Sequence, residues 1–160
     1  ISSTLSKAIN AQINAEMWSA YLYLSMAQYA QSIGCPGAAH WFTKQFNEEQ
    51  EHAGKFIGYL HTQGERVLLE PIAAVPTEWN SLLDAFQATL AHEKKVTSMI
   101  NALVDIANKD NDHASENFLA WYVDEQVEEE GNASSIVGKL SYMEGDKVGL
   151  YAIDKELGGR

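Results

Sequence analysis

The 160-residue sequence predicts an all-α protein, a four-helix bundle with a long crossover between the second and third helices and a short fifth helix near the C-terminal end. Three observations lead there. Only three prolines and eleven glycines interrupt the chain, so long runs stay free of helix breakers. Within those runs apolar residues recur at spacings of three and four, the period of a helix with one buried face. The breakers that do occur fall in clusters between the runs, where turns belong.

The first helix is expected from about Thr4 to Ser32, ending at the breaker cluster Gly34-Cys35-Pro36-Gly37. Its inward stripe reads Ile9, Ile13, Glu16, Ala20, Tyr23, Ala27, Ala30, with Glu16 as the one charge. A second helix is expected from about Ala38 to Gln63, stopped by Gly64. Its stripe of Phe42, Glu49, His52, Phe56 and Tyr59 contains two metal-ligand types three positions apart, the spacing that projects two side chains toward one point. From Glu65 to Asn80, with Pro71 and Pro76, the chain reads as an irregular connection long enough to run the length of a bundle. Ser81 and Asp84 then form a capping-box-like start to a third helix, to about Asn108, with the stripe Leu82, Phe86, Thr89, Glu93, Val96, Ile100, Leu103, Ala107. After the polar turn Lys109-Asp110-Asn111-Asp112, a fourth helix from about His113 to Met143 gives Leu119, Tyr122, Gln126, Glu129, Ala133, Ile136, Leu140. Gly145-Asp146 breaks the pattern before a short fifth helix, Val148 to Leu157. The length fits one domain, residues 1–160, with long helices of roughly 40 Å at about 1.5 Å per residue.

Each stripe is interrupted near its middle. In a bundle of helices of similar length the midpoints meet, so Glu16, Glu49, His52, Glu93 and Glu129 are expected to converge in the core. Burying carboxylates costs on the order of several kcal/mol per ion against a domain stability of roughly 5–15 kcal/mol, and no basic residue lies on these stripes to offset it. Either the carboxyls are protonated or cations neutralise them. Two divalent ions account for the number of ligands, with Glu49 between them, Glu16 and His52 on one ion and Glu93 and Glu129 on the other. Oxygen ligands with a single imidazole suit iron(II) or manganese better than a structural zinc. Tyr23 reads as core packing with its hydroxyl on a carboxylate, or as an electron donor to the metals. Glu48, Glu125 and Glu128 border the stripes and form either an additional acidic pocket or solvated surface. His40, His61, His92 and His113 lie off the stripes and are expected at the surface.

A formal net charge of −11 argues against a nucleic-acid partner. There is no long uncharged apolar run and no basic-then-apolar start, so neither a membrane span nor export is expected, and the cytoplasm is the expected location. The lone Cys35 has no internal disulfide partner.

Taken together, Glu16, Tyr23, Glu48-Glu49-x-x-His52, Glu93 and Trp121-Tyr122-x-x-Glu125-Gln126-x-x-Glu129 resemble a ferritin of the non-haem bacterial type, over essentially the whole chain. The general di-iron pattern repeats Glu-x-x-His on a second helix, whereas here the second copy is Gln126-x-x-Glu129, itself a ferritin-like departure. The resemblance implies that the crossover gives ferritin-like connectivity, with the second and third helices parallel. It implies that Glu16, Glu49 and His52 bind a first iron of a ferroxidase centre and Glu49, Glu93 and Glu129 a second, with Gln126 nearby. It further implies a third iron site at Glu48, Glu125, Glu128 and Glu129, and matches Tyr23 to the family's tyrosine at the centre. Bacterioferritins have a haem-binding methionine next to the bridging glutamate; Gln50 stands there in this sequence, so haem is not expected. Glu116 falls where family members line iron channels, while a neighbouring position that is acidic in some ferritins is Leu119 here.

The implied function is storage of ferric mineral in a twenty-four-subunit homo-oligomeric shell after oxidation of Fe(II) by O2 or H2O2. A di-iron oxidase or peroxidase that stores no mineral would share every ligand. A purely structural bundle with protonated core carboxyls is the third reading.

Overall fold

A computed structural model describes residues 1–160 and contains five helices and no strand: α1 (Ser3–Ser32), α2 (Pro36–Thr62), α3 (Leu82–Lys109), α4 (His113–Tyr142) and α5 (Lys147–Leu157). Side chains flanking the helices set most of the N-terminal ends. Ser2 accepts from Leu5 N, Ser81 from Asp84 N, Asp112 from Ser115 N, and Asp146 from Val148 N and Gly149 N. Each satisfies backbone N–H groups that a helix leaves unpaired in its first turn. No helix is long and apolar enough to cross a membrane.

The one boundary that departs by more than a residue is the start of α2, at Pro36 rather than Ala38. Proline lacks only an N–H that the first helical turn does not use, so it opens the helix instead of preceding it. The reversal before it turns on Gly34, at φ +79°, a left-handed conformation that glycine adopts without a Cβ clash. α2 has no cap of its own. Asp154 of α5 supplies one from outside, accepting from Gly37 N at 3.1 Å and Ala38 N at 2.8 Å.

Contacts across the bundle fix helix directions. Ser19 meets His92 while Met26 meets Thr89, so α1 and α3 run antiparallel. Gln45 meets Glu129 while Tyr59 meets Ser115, so α2 and α4 do too. Since α1 reverses into α2 through a short turn, α2 and α3 are parallel, as the crossover requires.

That crossover is held to the outer face of α1. Asn10 donates to the Arg66 carbonyl and accepts from Leu68 N; Asn14 donates to the Glu70 and Pro71 carbonyls, Trp18 to Ala74 and Ser25 to Pro76. Rising numbers on α1 meet rising numbers on the connection, so it travels alongside α1 to the far end.

The apolar core is divided in two. One cluster includes Leu5, Ile9, Phe56, Ile100 and Leu119, the other Met26, Phe42, Phe86, Leu140 and Ile153. Between them lies a layer of buried polar side chains.

Candidate metal centre

The polar layer comprises Glu16, Gln45, Glu49, His52, Glu93, Gln126 and Glu129, all 5 % exposed or less. Each comes from the middle of its helix, where the inward face continues the apolar stripe on both sides. The buried set contains no lysine or arginine.

His52 is the hub. Its Nδ1 lies 3.4 Å from Glu49 Oε2 and 4.0 Å from Glu16 Oε2, and its Nε2 lies 3.8 Å from Glu125 Oε1. Two triplets of ligand atoms result, Glu16-Glu49-His52 and His52-Glu125-Glu129, each with its atoms within 4.8 Å of one another. The imidazole plane is held by Trp121, edge-on at 5.4 Å between centroids, and the Tyr122 hydroxyl donates to the His52 carbonyl at 2.6 Å.

The other carboxylates are fixed by neutral donors. Tyr23 donates its hydroxyl to Glu93, and Gln126 donates to Glu93 Oε2 at 3.1 Å. Gln45 donates to Glu129, and Gln12 to Glu16 Oε1 at 3.2 Å. Even so, Glu16 Oε2 and Glu49 Oε2 are buried with no hydrogen-bond partner. Buried polar atoms without a partner are uncommon in folded proteins and call for an explanation.

Burial and mutual repulsion shape the electrostatics. Removal from water, then the charge of Glu49, pushes Glu16 well above the ordinary carboxyl range. Burial does the same to Glu49, with Glu93, Glu129 and Glu48 adding to it. Glu93 is raised by burial, and Glu129 is pushed up to about 9, by burial first and Glu93 second. Each of these shifts favours the protonated form of its carboxyl when no cation is bound.

Of the residues singled out in the sequence, Glu16, Glu49, His52 and Glu129 come together in these triplets. Glu93, Gln126 and Tyr23 form a hydrogen-bonded wall beside them. The proposed third set is only partly gathered: Glu125 joins His52 and Glu129, whereas Glu128 is exposed and Glu48 pairs with Arg160 at 2.9 Å. His92 is not a surface residue. It lies between Trp18 and Tyr23, bonds Ser19 at 2.7 Å, and has its pKa lowered to about 4 by burial and then by Lys95. Leu119 is fully buried among apolar side chains, on the inward face where the stripe of α4 puts it.

Gln12 and Gln45 went unremarked in the sequence. Gln12 precedes Glu16, and Gln45 precedes Glu49, by one helical turn, a spacing that could have drawn notice to both.

The chain has relatives among known proteins. The family model "Ferritin-like domain" matches residues 6–143. A bacterial non-heme ferritin of Bacteroides fragilis is 44% identical over 160 residues, covering 100% of this chain and 99% of the relative. A probable bacterial non-heme ferritin-like protein of Haemophilus influenzae is 39% identical over 158 residues, covering 99% and 96%. Among solved structures, an open pore ferritin from the hyperthermophilic archaeon Archaeoglobus fulgidus superposes with a TM-score of 0.99 at 48% identity, covering 100% of this chain and 99% of that one.

Proposed function

The chain belongs to the ferritin family, and from that membership we propose that it is a ferroxidase as well as an iron-storage protein, built as one di-iron domain over residues 1–160. The observation behind this reading is the Glu16-Glu49-His52 triplet, with two buried carboxylate oxygens that lack a hydrogen-bond partner and no lysine or arginine in the core to pair with them. Divalent cations answer both deficits at once.

Iron is the substrate. Glu16, Glu49 and His52 take one Fe(II); Glu49, Glu93 and Glu129 take a second, with Gln126 holding Glu93. Each ion gives one electron, so a pair reduces O2 with two protons to H2O2, or H2O2 with two protons to two waters. The protein contributes proximity and charge matching: two one-electron donors sit where one oxidant meets both. Carboxyl protons are displaced when cations bind, since the ligating form is the anion. Tyr23 and Gln45 hold Glu93 and Glu129 by neutral donation, so the ligands keep their charge for the metal. The ferric product leaves for a mineral cavity, and Glu125 with Glu129, on the far side of His52, provides a third site along the way.

A cavity requires assembly. Large apolar side chains stand exposed on α1 and the crossover, Tyr21, Leu69 and Ile72, and around α5, Tyr142, Val148 and Tyr151. Surfaces of this kind mark contacts between chains. The reading is a homo-oligomeric shell of twenty-four subunits, supported also by the open pore described for the Archaeoglobus relative.

The deciding experiment is aerobic addition of excess Fe(II), then gel filtration with iron and protein detected together. Ferric iron co-eluting with a large shell is expected. Fast oxidation by a small particle with precipitated iron would favour an oxidase without storage, and oxidation no faster than in buffer would remove the ferroxidase assignment.

A further inference from the structure

Glu130 follows Glu129 in the chain but belongs to neither ligand triplet. It is the outer end of a hydrogen-bonded series that leads inward. Its Oε2 lies 2.6 Å from the hydroxyl oxygen of Thr97 on α3, both residues being half-buried. Thr97 Oγ1 in turn accepts from Gln126 Nε2 at 3.2 Å. Gln126, 4 % exposed, also donates to Glu93 Oε2 at 3.1 Å and to the Glu93 carbonyl at 3.1 Å. The series therefore runs Glu130, Thr97, Gln126, Glu93, from the half-buried rim of the bundle to a carboxylate of the polar layer. Glu93 and Thr97 are four residues apart on α3, and Gln126 and Glu130 four apart on α4, so each helix contributes one inner and one outer member from adjacent turns.

We infer that Thr97 and Glu130 are positioning residues for the second ion: they fix the Gln126 amide with its N–H edge on Glu93, and so hold Glu93 Oε2 where that ion needs it. The inference rests on the function proposed above. A threonine hydroxyl has one proton to give and lone pairs to receive another. Two acceptors lie within its reach, Glu130 Oε2 at 2.6 Å and the Glu93 carbonyl at 3.0 Å, and the shorter contact, to a carboxylate, is the stronger. With the proton on that side, Thr97 Oγ1 offers only lone pairs to Gln126. The amide has two N–H hydrogens: one serves Glu93 Oε2, and the other lies between the Glu93 carbonyl and Thr97. A reversed amide would set its oxygen against three oxygens that all act as acceptors, at the cost of every one of these bonds. Only a Thr97 proton turned toward Gln126 would favour that reversal, and Glu130 holds the proton away. Tyr23 already donates to the other oxygen of Glu93, so the carboxylate is gripped at both ends.

The test is calorimetric titration of the metal-free, full-length protein with Zn(II), which binds without redox chemistry. The unaltered chain is compared with Thr97→Val, Thr97→Ser, Glu130→Leu, Glu130→Gln and Gln126→Leu, each checked for helix content by circular dichroism. Valine keeps the shape of threonine without its hydroxyl; serine keeps the hydroxyl; glutamine at 130 keeps an acceptor without the charge. In Thr97→Val and Glu130→Leu one of two binding events is expected to weaken by about tenfold, the lower end of what a ligand's outer partners supply, with the other event unchanged. Gln126→Leu should weaken that same event, and Thr97→Val should add nothing to it in the double variant, because the threonine acts through the amide. Thr97→Ser and Glu130→Gln should match the unaltered chain. Two events weakened together would assign the effect to packing, and Glu130→Gln as weak as Glu130→Leu would assign it to charge; either overturns the inference while leaving the two-ion centre standing. So does an unchanged pair of events in both Thr97→Val and Glu130→Leu. If Thr97→Val fails to fold, Glu130→Leu, altered at the half-buried rim, decides alone. Absence of two events in the unaltered chain overturns the di-iron centre itself and the inference with it.

Discussion

At the scale of the residue, the protein is organised by an unfavourable placement: four carboxyls in a dry layer, two with an unpartnered oxygen. Replacing Glu49 or His52 by alanine is expected to slow the initial oxidation of Fe(II) by more than the roughly 10–100-fold associated with losing a ligand's hydrogen-bond partner. Stopped-flow absorbance of the ferric product measures it, and normal rates in both variants would refute the assignment. Gln45→Leu removes only the donor to Glu129 and belongs in the smaller range itself. The same groups govern stability without metal. Their folded pKa values are raised, to about 9 for Glu129, above a value near 4.5 in the unfolded chain. Between those limits the folded state holds protons the unfolded state has lost, so these groups make stability fall as pH rises through that window. The melting temperature of the chelator-treated protein should therefore decrease between about pH 5 and about pH 8, and Zn(II) should reverse the decrease with measurable proton release. A melting temperature that climbs across that interval without metal would contradict the protonated state.

At the scale of the element, the bundle depends on attachments that helix periodicity does not reveal. α5 approaches so closely that a Cβ built on Gly37 would lie 1.7 Å from the Asp154 carbonyl oxygen, with backbone on both sides. Gly37→Ala must push α5 away, and it should cost more stability than Asp154→Ala, which loses a cap worth about 1 kcal/mol. Thermal unfolding of both variants orders them, with Asp154→Ala shifting the midpoint by about 2–4 °C. The crossover is comparably dependent on Asn10, Asn14 and Trp18, which bind its carbonyls in place of a missing partner strand or helix. In Asn14→Ala, amide exchange should quicken around residues 69–72 before it changes in α3, and uniform protection would show the strap to be held elsewhere.

At the scale of the whole molecule, exposed apolar side chains fall on the face shared by α1 and the crossover, at the end around α5, and on α4 at Trp121, Val123 and Val127. Leu69, 76 % exposed, is the largest aliphatic outlier on the first of these. Leu69→Arg places a charge where the proposed shell would bury one, so sedimentation velocity should report smaller particles with the helix content intact. Oxidation of Fe(II) should persist in those particles, because every proposed ligand comes from one chain, while soluble mineral should be lost. An unperturbed large particle would move the contact elsewhere on the surface.

The helices, their order, the crossover and the polar residues at the middle of each stripe were legible in the sequence, because burial imposes a period of 3.6 and any charge on the buried face stands out against it. Glu16, Glu49, His52 and Glu129 were found in that way, and the structure brings all four into two triplets that share His52. Other features depended on distances that no spacing along one helix encodes. The pairing of Arg160 with Glu48 joins residues from opposite ends of the chain, and it separates Glu48 from the acidic neighbours that resemblance had grouped with it. His92 was misplaced for the same reason: whether a residue beside a stripe meets solvent or a neighbouring helix is decided by how closely that neighbour packs. A single helix specifies its own inward face, but only the packed bundle determines which atoms from separate helices lie within a few ångströms, and coordination and ion pairing act at that range.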